Sequence, residues 1–154
     1  MPSLNHYPIK ASGFTLIEIA ISLAIIIILT SIAVPTIATY QKSINLNHES
    51  TKLMNELRLA QQRTVSEQIK YSVVFDLPNN SYSLINEQTG ATLETVVLPN
   101  TLHLINLSGF LNNRATFNPI GAVDYEGQLT VQQTGGKNML IQVRASGYLT
   151  QSKF

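Results

Sequence analysis

Glu18 places a carboxylate inside an apolar run that extends from Phe14 to Val34, and no other residue of the chain asks so plainly for a chemical reason. An ionised side chain in hydrocarbon costs roughly 2.5 to 3.5 kcal/mol on insertion scales, so an acid in such a place is by default functional and needs a partner. The remaining groups that could do chemistry are dispersed. His6, His48 and His103 fall in three separate parts of the chain, and no two have metal-ligand spacing. Asp124 and Glu126 flank Tyr125 without a third acid or a basic partner, which reads as a solvated loop rather than a calcium site. Gly135-Gly136-Lys137 lacks the spacing and the following hydroxyl residue of a phosphate-binding loop, and reads as a hairpin turn. The sequence therefore points to no enzyme, no metal and no cofactor. With no cysteine it has neither a disulfide framework nor a thiol metal site.

The element that must position Glu18 is a helix of membrane length. Apart from Glu18, the polar residues of the run are Thr15, Ser22, Thr30 and Ser31, whose hydroxyls can bond back to the helix's own carbonyls. At about 1.5 Å per residue the run matches the roughly 30 Å hydrocarbon core, whereas the apolar region of a secretory signal has only about 7 to 15 residues. Ser31-Ile32-Ala33 and Thr36-Ile37-Ala38 do have the small residues of a signal-peptidase site, which keeps a cleaved signal as the competing reading, and Glu18 argues against it. Residues 1–13 carry Lys10 and no acid, which holds this end in the cytoplasm and sends the bulk of the chain across the membrane.

Past the run, Pro35 either kinks a continuing helix or ends it. The absence of Pro and Gly from Lys42 to Lys70 favours a kink, and Leu46, Ser50, Leu53, Leu57, Ala60 and Thr64 then step by three or four as a mostly apolar stripe. Glu49, Lys52, Glu56, Arg63 and Glu67 fall mostly on other faces. A helix from Phe14 to Gln68 would be ~80 Å long, so its first half must be buried in lipid or in other helices. From Tyr71 the period becomes two, and β-like runs follow at 81–85, 92–98, 101–107, 114–117, 128–133, 139–144 and 147–150, separated by Thr89-Gly90, Pro99-Asn100, Asn118-Pro119, Glu126-Gly127 and Gly135-Gly136. The fold class predicted is α+β, a long N-terminal helix packed on a small antiparallel β-sheet or β-sandwich, with no second domain behind it. A net charge of +1 says nothing about partners.

Gly13-Phe14-Thr15-Leu16-Ile17-Glu18 after a short basic leader resembles the start of the type IV pilin and pseudopilin superfamily, residue for residue. The resemblance implies a prepilin leader over 1–13, cleavage by a prepilin peptidase between Gly13 and Phe14, and N-methylation of Phe14. It implies a transmembrane half of the helix over 14–34, an amphipathic half over 35–70 and a periplasmic β-rich domain over 71–154. Glu18 and Pro35 become filament-assembly residues, with Glu18 pairing with the freed amino terminus of a neighbour. Phe117-Asn118-Pro119-Ile120-Gly121, Gly127, Met139-Leu140-Ile141-Gln142-Val143 and Gly147-Tyr148-Leu149 look like the GspH/FimT group of minor pseudopilins. That group implies an inner-membrane subunit of the pilus-like filament of a type II secretion system, whose partners are other major and minor pseudopilins, the prepilin peptidase and secreted substrates. The alternative is a minor pilin of a type IV pilus or competence machine that takes part in DNA uptake. Lys137, Arg144 and Lys153 make the tail locally basic, enough for a weak nucleic-acid contact. Where the DNA-contacting pattern has arginine after a terminal Gly, this chain has Tyr148.

Overall fold

The computed structural model describes residues 13–154, without the side chains of residues 33–36, 38 and 39. The leader expected over 1–13, with Lys10 and His6, thus lies outside the described residues except for Gly13. The order of elements is one helix, α1 (Leu16–Glu67), followed by eight strands: β1 (Tyr71–Asp76), β2 (Ser81–Asn86), β3 (Thr92–Val97), β4 (Leu102–Ser108), β5 (Arg114–Thr116), β6 (Gly127–Gln133), β7 (Asn138–Val143) and β8 (Leu149–Lys153). The chain divides into two compact units, one ending at Thr39 and the other Tyr40–Phe154.

In the first unit α1 begins at Leu16 and runs on through Pro35 without a break in the helix assignment. Its described apolar side chains are uncovered: from Phe14 to Ile32 every large hydrophobic residue keeps between 52% and 86% of its surface exposed. Among the described residues no helix is long and apolar enough to cross a membrane. The side chains described in the apolar run stop at Ile32, short of the Val34 at which the run in the sequence ends.

In the second unit the stripe expected from the sequence is the buried face of α1. Leu46, Ser50, Leu53, Leu57, Ala60 and Thr64 are all buried, and Met54 joins them. The helix closes with Gln68 in the left-handed region at φ 57, where the Gln68 side-chain amide donates to the Val65 carbonyl at 2.7 Å and so satisfies one of the last turn's free acceptors. Thr64 then ties the helix to the first strand: its hydroxyl donates to the Ala60 carbonyl at 2.8 Å and accepts from the Tyr71 N–H at 3.0 Å.

The strands form two antiparallel four-stranded sheets, in the orders β3-β2-β1-β5 and β4-β6-β7-β8. Alternation sets which face each strand buries: Tyr71, Val73 and Phe75 of β1, and Leu129, Val131, Ile141 and Val143 of the second sheet, enter one core with the helix stripe. Phe75 and Phe110 meet there with ring centroids 5.4 Å apart. Asn80 joins the two sheets, since its Nδ2 donates to the Leu102 carbonyl at 2.7 Å and its Oδ1 accepts from the Leu104 N–H at 2.9 Å. Most strands fall within one residue of their expected spans, and the last departs furthest. The run 147–150 gives way to β8 at Leu149–Lys153 because Gly147 adopts φ +79 and turns the chain before the ladder starts.

Candidate functional site

The head of α1 is built by Thr15 and Glu18. Thr15 stands one residue before the helix, and the first-turn N–H groups of a helix have no intrahelical acceptor. Its hydroxyl accepts from the Glu18 N–H at 3.3 Å, while Glu18 Oε2 accepts from the Thr15 N–H at 3.1 Å and from the Thr15 hydroxyl at 3.0 Å. This is a capping box, in which Ser or Thr and an acid three residues on satisfy each other's free donors. A carboxylate at the first turn is also favoured by the positive end of the helix dipole. Glu18 therefore has a partner inside its own chain, where the family resemblance implies the amino group of a neighbour. The signal that could have found it, Thr followed three residues later by Glu, was present in the sequence.

The other polar groups of the apolar run close on the helix itself. The Ser22 hydroxyl donates to the Glu18 carbonyl at 2.8 Å, that of Thr30 to Ile26 at 2.8 Å, and that of Ser31 to Ile28 at 2.7 Å. Glu18 is thus the one ionisable group among the described residues of the run. Gly13 and Phe14 precede the helix, and Phe14 is 83% exposed. A Cβ added at Gly13 would meet no described atom within 4 Å, so nothing in the described fold requires glycine there.

A second constellation lies where α1 meets the loops around β8. Gln61 Nε2 donates to the Gly121 carbonyl at 2.5 Å and to the Gly147 carbonyl at 3.1 Å, which clamps both loops to the helix. A Cβ on Gly147 would run into the Gly121 carbonyl oxygen and the Gln61 amide, and its φ of +79 already favours glycine. Sequence reasoning singled out Gly121 and Gly147 but missed Gln61, a polar residue beside the stripe that looks like any solvated one.

No protein-family model matches the sequence, and no curated protein matches it closely enough to count as a relative. Solved structures do match. The type IV minor pilin FimU of Pseudomonas aeruginosa aligns with a TM-score of 0.61 and 16% identity, covering 73% of this chain and 92% of that one. The minor pseudopilin EpsH from the type 2 secretion system of Vibrio cholerae aligns with a TM-score of 0.60 and 12% identity, covering 70% of this chain and 96% of that one. A further structure of that minor pseudopilin gives 0.56 at 11% identity. The chain has the pilin-like fold.

Within the pilin-like fold the three basic residues of the tail separate. Lys137 sits in the hairpin between β6 and β7 and Lys153 closes β8 opposite Met139, so both lie at one end of the second sheet. Arg144 lies past the other end of β7, about 20 Å away at roughly 3.3 Å per residue. Lys153 Nζ is 3.2 Å from the Ser43 hydroxyl. His48 is exposed on α1 with Nδ1 3.3 Å from Glu49 Oε1, and His103 is exposed on β4. Asp124, expected in a solvated loop, pairs with Lys70 at 2.7 Å, and Glu126 reaches the Ala145 N–H at 3.4 Å. Among the described residues no cluster of His, Cys, Asp and Glu could hold a metal ion.

Two titratable groups are displaced at the seam between α1 and the first sheet. Burial, with the Glu94 carboxylate adding to it, raises the Glu56 carboxyl above its ordinary value against the opposing pull of Lys52 and Arg63. Burial, together with Glu56, Glu49 and Glu94, pushes the Tyr82 phenol well up.

Proposed function

We propose that the chain is a minor pseudopilin, a structural subunit of the pilus-like filament with which a type II secretion system drives protein export across the outer membrane. The observation that carries this reading is the Thr15–Glu18 capping box at the head of an apolar helix whose described side chains, through Ile32, stand exposed, in a chain with the pilin-like fold. On this reading residues 1–13 are the leader, and a prepilin peptidase hydrolyses the bond between Gly13 and Phe14. That no described atom lies within 4 Å of a Cβ placed at Gly13 fits a requirement set by that peptidase.

The cut frees the α-amino group of Phe14, which is then N-methylated and stands one turn from Glu18. The capping box holds the carboxylate with two donors while the helix is in the bilayer, lowering the cost of keeping an acid there. In the filament the amino terminus of a neighbour adds a charged partner, and that pair sets the register of helix on helix. Residues 14–34 form the membrane half of the helix and 35–70 its amphipathic half, with Pro35 at the junction where helices of the filament pack. Residues 71–154 lie in the periplasm, the amino-terminal end of the membrane helix faces the cytoplasm, and the work is mechanical rather than catalytic. Partners are the other major and minor pseudopilins, the peptidase, the inner membrane and the exported substrates.

The likeness to a type IV minor pilin supports a second reading, a minor pilin of a pilus or competence machine. There Lys137, Arg144 and Lys153 would touch DNA through phosphate alone, a salt-sensitive contact divided between two ends of the sheet. The deciding experiment deletes this chain from its source bacterium, restores it from a plasmid and compares secreted proteins. Loss of exoproteins with periplasmic accumulation is expected. An unchanged secretion profile with lost DNA uptake would assign the chain to the second machine.

A further inference from the structure

Of the four edge strands of the two sheets, β3, β4 and β5 are interrupted or short. The ladder of β3 with β2 skips Leu93, β4 loses register against β6 between Ile105 and Ser108, where Asn106 stands at φ 51, and β5 has three residues. Such breaks keep sheet edges from pairing with other chains. The fourth edge, β8, has no break and pairs with β7 in continuous register from Leu149 to Lys153. No strand stands on its outer side.

The Arg144 N–H donates to the Tyr148 carbonyl at 2.9 Å, and Phe154 exchanges two bonds with Asn138 at 3.1 and 3.2 Å. Bonded and non-bonded residues alternate along an antiparallel pair, so Thr150 and Ser152 carry the bonds to β7 between those two points. Leu149, Gln151 and Lys153 therefore turn their N–H and C=O groups outward, to the open edge. Their side chains share the face of the buried Val143, Ile141 and Met139 opposite them. Helix α1 stands on that side, since Lys153 Nζ is 3.2 Å from the Ser43 hydroxyl and Leu149 lines a groove with Arg58 and Gln61.

Ser146, Gly147 and Tyr148 complete the groove, and the Gln61 clamp holds its floor in place. Arg58 is exposed, and no hydrogen bond or ion pair reaches its side chain among the described residues. A guanidinium grips one carboxylate through two parallel N–H···O bonds. One cation and no acid line the groove, which suits a single carboxylate, whereas a nucleic-acid backbone asks for a row of cations.

We propose that β8 is a strand-addition site, on which an extended segment of a different filament subunit pairs with Leu149, Gln151 and Lys153 and lays one Asp or Glu on Arg58. The backbone bonds supply the hold, and the acid supplies the choice of partner. A residue of the incoming strand opposite Leu149 points to the helix side, where Arg58 lies. The inference deepens the filament-subunit reading and rests on it, because assembly is what brings such a segment alongside a minor subunit.

The full-length chain with a benzophenone side chain in place of Tyr148 is expressed in its source bacterium and irradiated, and the attached peptide is identified by mass. The expected product joins it to another filament subunit through a segment that contains Asp or Glu. Gln151→Pro removes an outward N–H and spares the ladder with β7, so it should lower the yield several-fold where Gln151→Ala does not. Arg58→Glu should lower it likewise, and replacing the mapped acid by Lys should then restore it. If Gln151→Pro unfolds the β domain, the Arg58 exchange decides alone. Equal yields from Gln151→Pro and Gln151→Ala, a loss in Arg58→Glu that the exchange does not repair, or products only with a second copy of this chain, an exported protein or a nucleic acid overturn the proposal. Cleavage after Gly13 is followed in the same samples. Processed chain without the product overturns strand addition alone, whereas unprocessed chain overturns the filament reading and strand addition with it.

Discussion

Both halves of α1 carry aliphatic side chains, and these end in opposite states. Between Leu46 and Thr64 the apolar stripe is shut against two sheets, with Leu46, Leu57 and Ala60 wholly removed from solvent. Between Leu16 and Ile32 the helix is apolar on every side and exposed on every side. A one-sided stripe is the pattern of a helix that packs on its own domain, and an all-round apolar surface is the pattern of one that packs in lipid or among other helices. The difference teaches that this chain completes only half of its helix by itself. On the proposed reading what covers the other half comes from outside, and Glu18 marks the end at which that covering is registered.

The comparison breaks first at the buried half. Leu57→Ala should cost about 2 to 5 kcal/mol, through lost burial and the cavity left between helix and sheets. Urea unfolding of the full chain in detergent, followed by the β signal in circular dichroism, would read it, and a cost below about 0.5 kcal/mol would contradict the packing described here. Gly147→Ala should cost about 1 to 3 kcal/mol, because a Cβ there strains a positive φ and also displaces the Gln61 clamp. The same unfolding curve tests it, and Gln61→Ala made together with it should then add little, since both changes undo the same two-bond clamp.

A smaller effect should come from the seam. Glu56 binds its proton more tightly in the folded chain than its ordinary value of 4.5 would give, because burial and Glu94 disfavour the carboxylate. Its contribution to stability is complete below about pH 4.5 and is lost as the pH rises through the raised value. Glu56→Gln should flatten that part of the stability profile and leave the chain more stable near neutral pH than the parent. An unchanged profile would show that the seam is solvated. The smallest effect on folding should come from the exposed half, where Ile26→Ala is expected to move the unfolding midpoint of the β domain by less than the equivalent of about 0.5 kcal/mol. The same substitution should weaken crosslinking to other filament subunits. An unfolding cost like that of Leu57→Ala would remove the contrast between the two halves.

Much of this was legible in the sequence because it is periodic. The stripe from Leu46 to Thr64 could be read by counting threes and fours, and Tyr71, Val73 and Phe75 by counting twos. Met54 escaped because it lies one residue beside that path, on the edge of the same face. The division into two sheets was not legible, since strand order depends on distant pairings such as β1 with β5 and β4 with β6, to which local alternation is indifferent. Of the site, Glu18 stood out as an acid where none belongs. Its capping partner Thr15 did not, because a hydroxyl in an apolar helix can always close on its own backbone. Gln61 was hidden for a different reason. Its value lies in the carbonyls of residues 121 and 147, which only the folded chain brings to it.

The central claim, that this is a processed filament subunit whose exposed helix begins at a new amino terminus, is tested most directly by the intact mass of the chain recovered from the membranes of its source cell. The account predicts a polypeptide that begins at Phe14 and carries one added methyl group. A mass that retains residues 1–13, or one that begins after Ala33 or Ala38 as a cleaved secretory signal would leave it, would contradict the account.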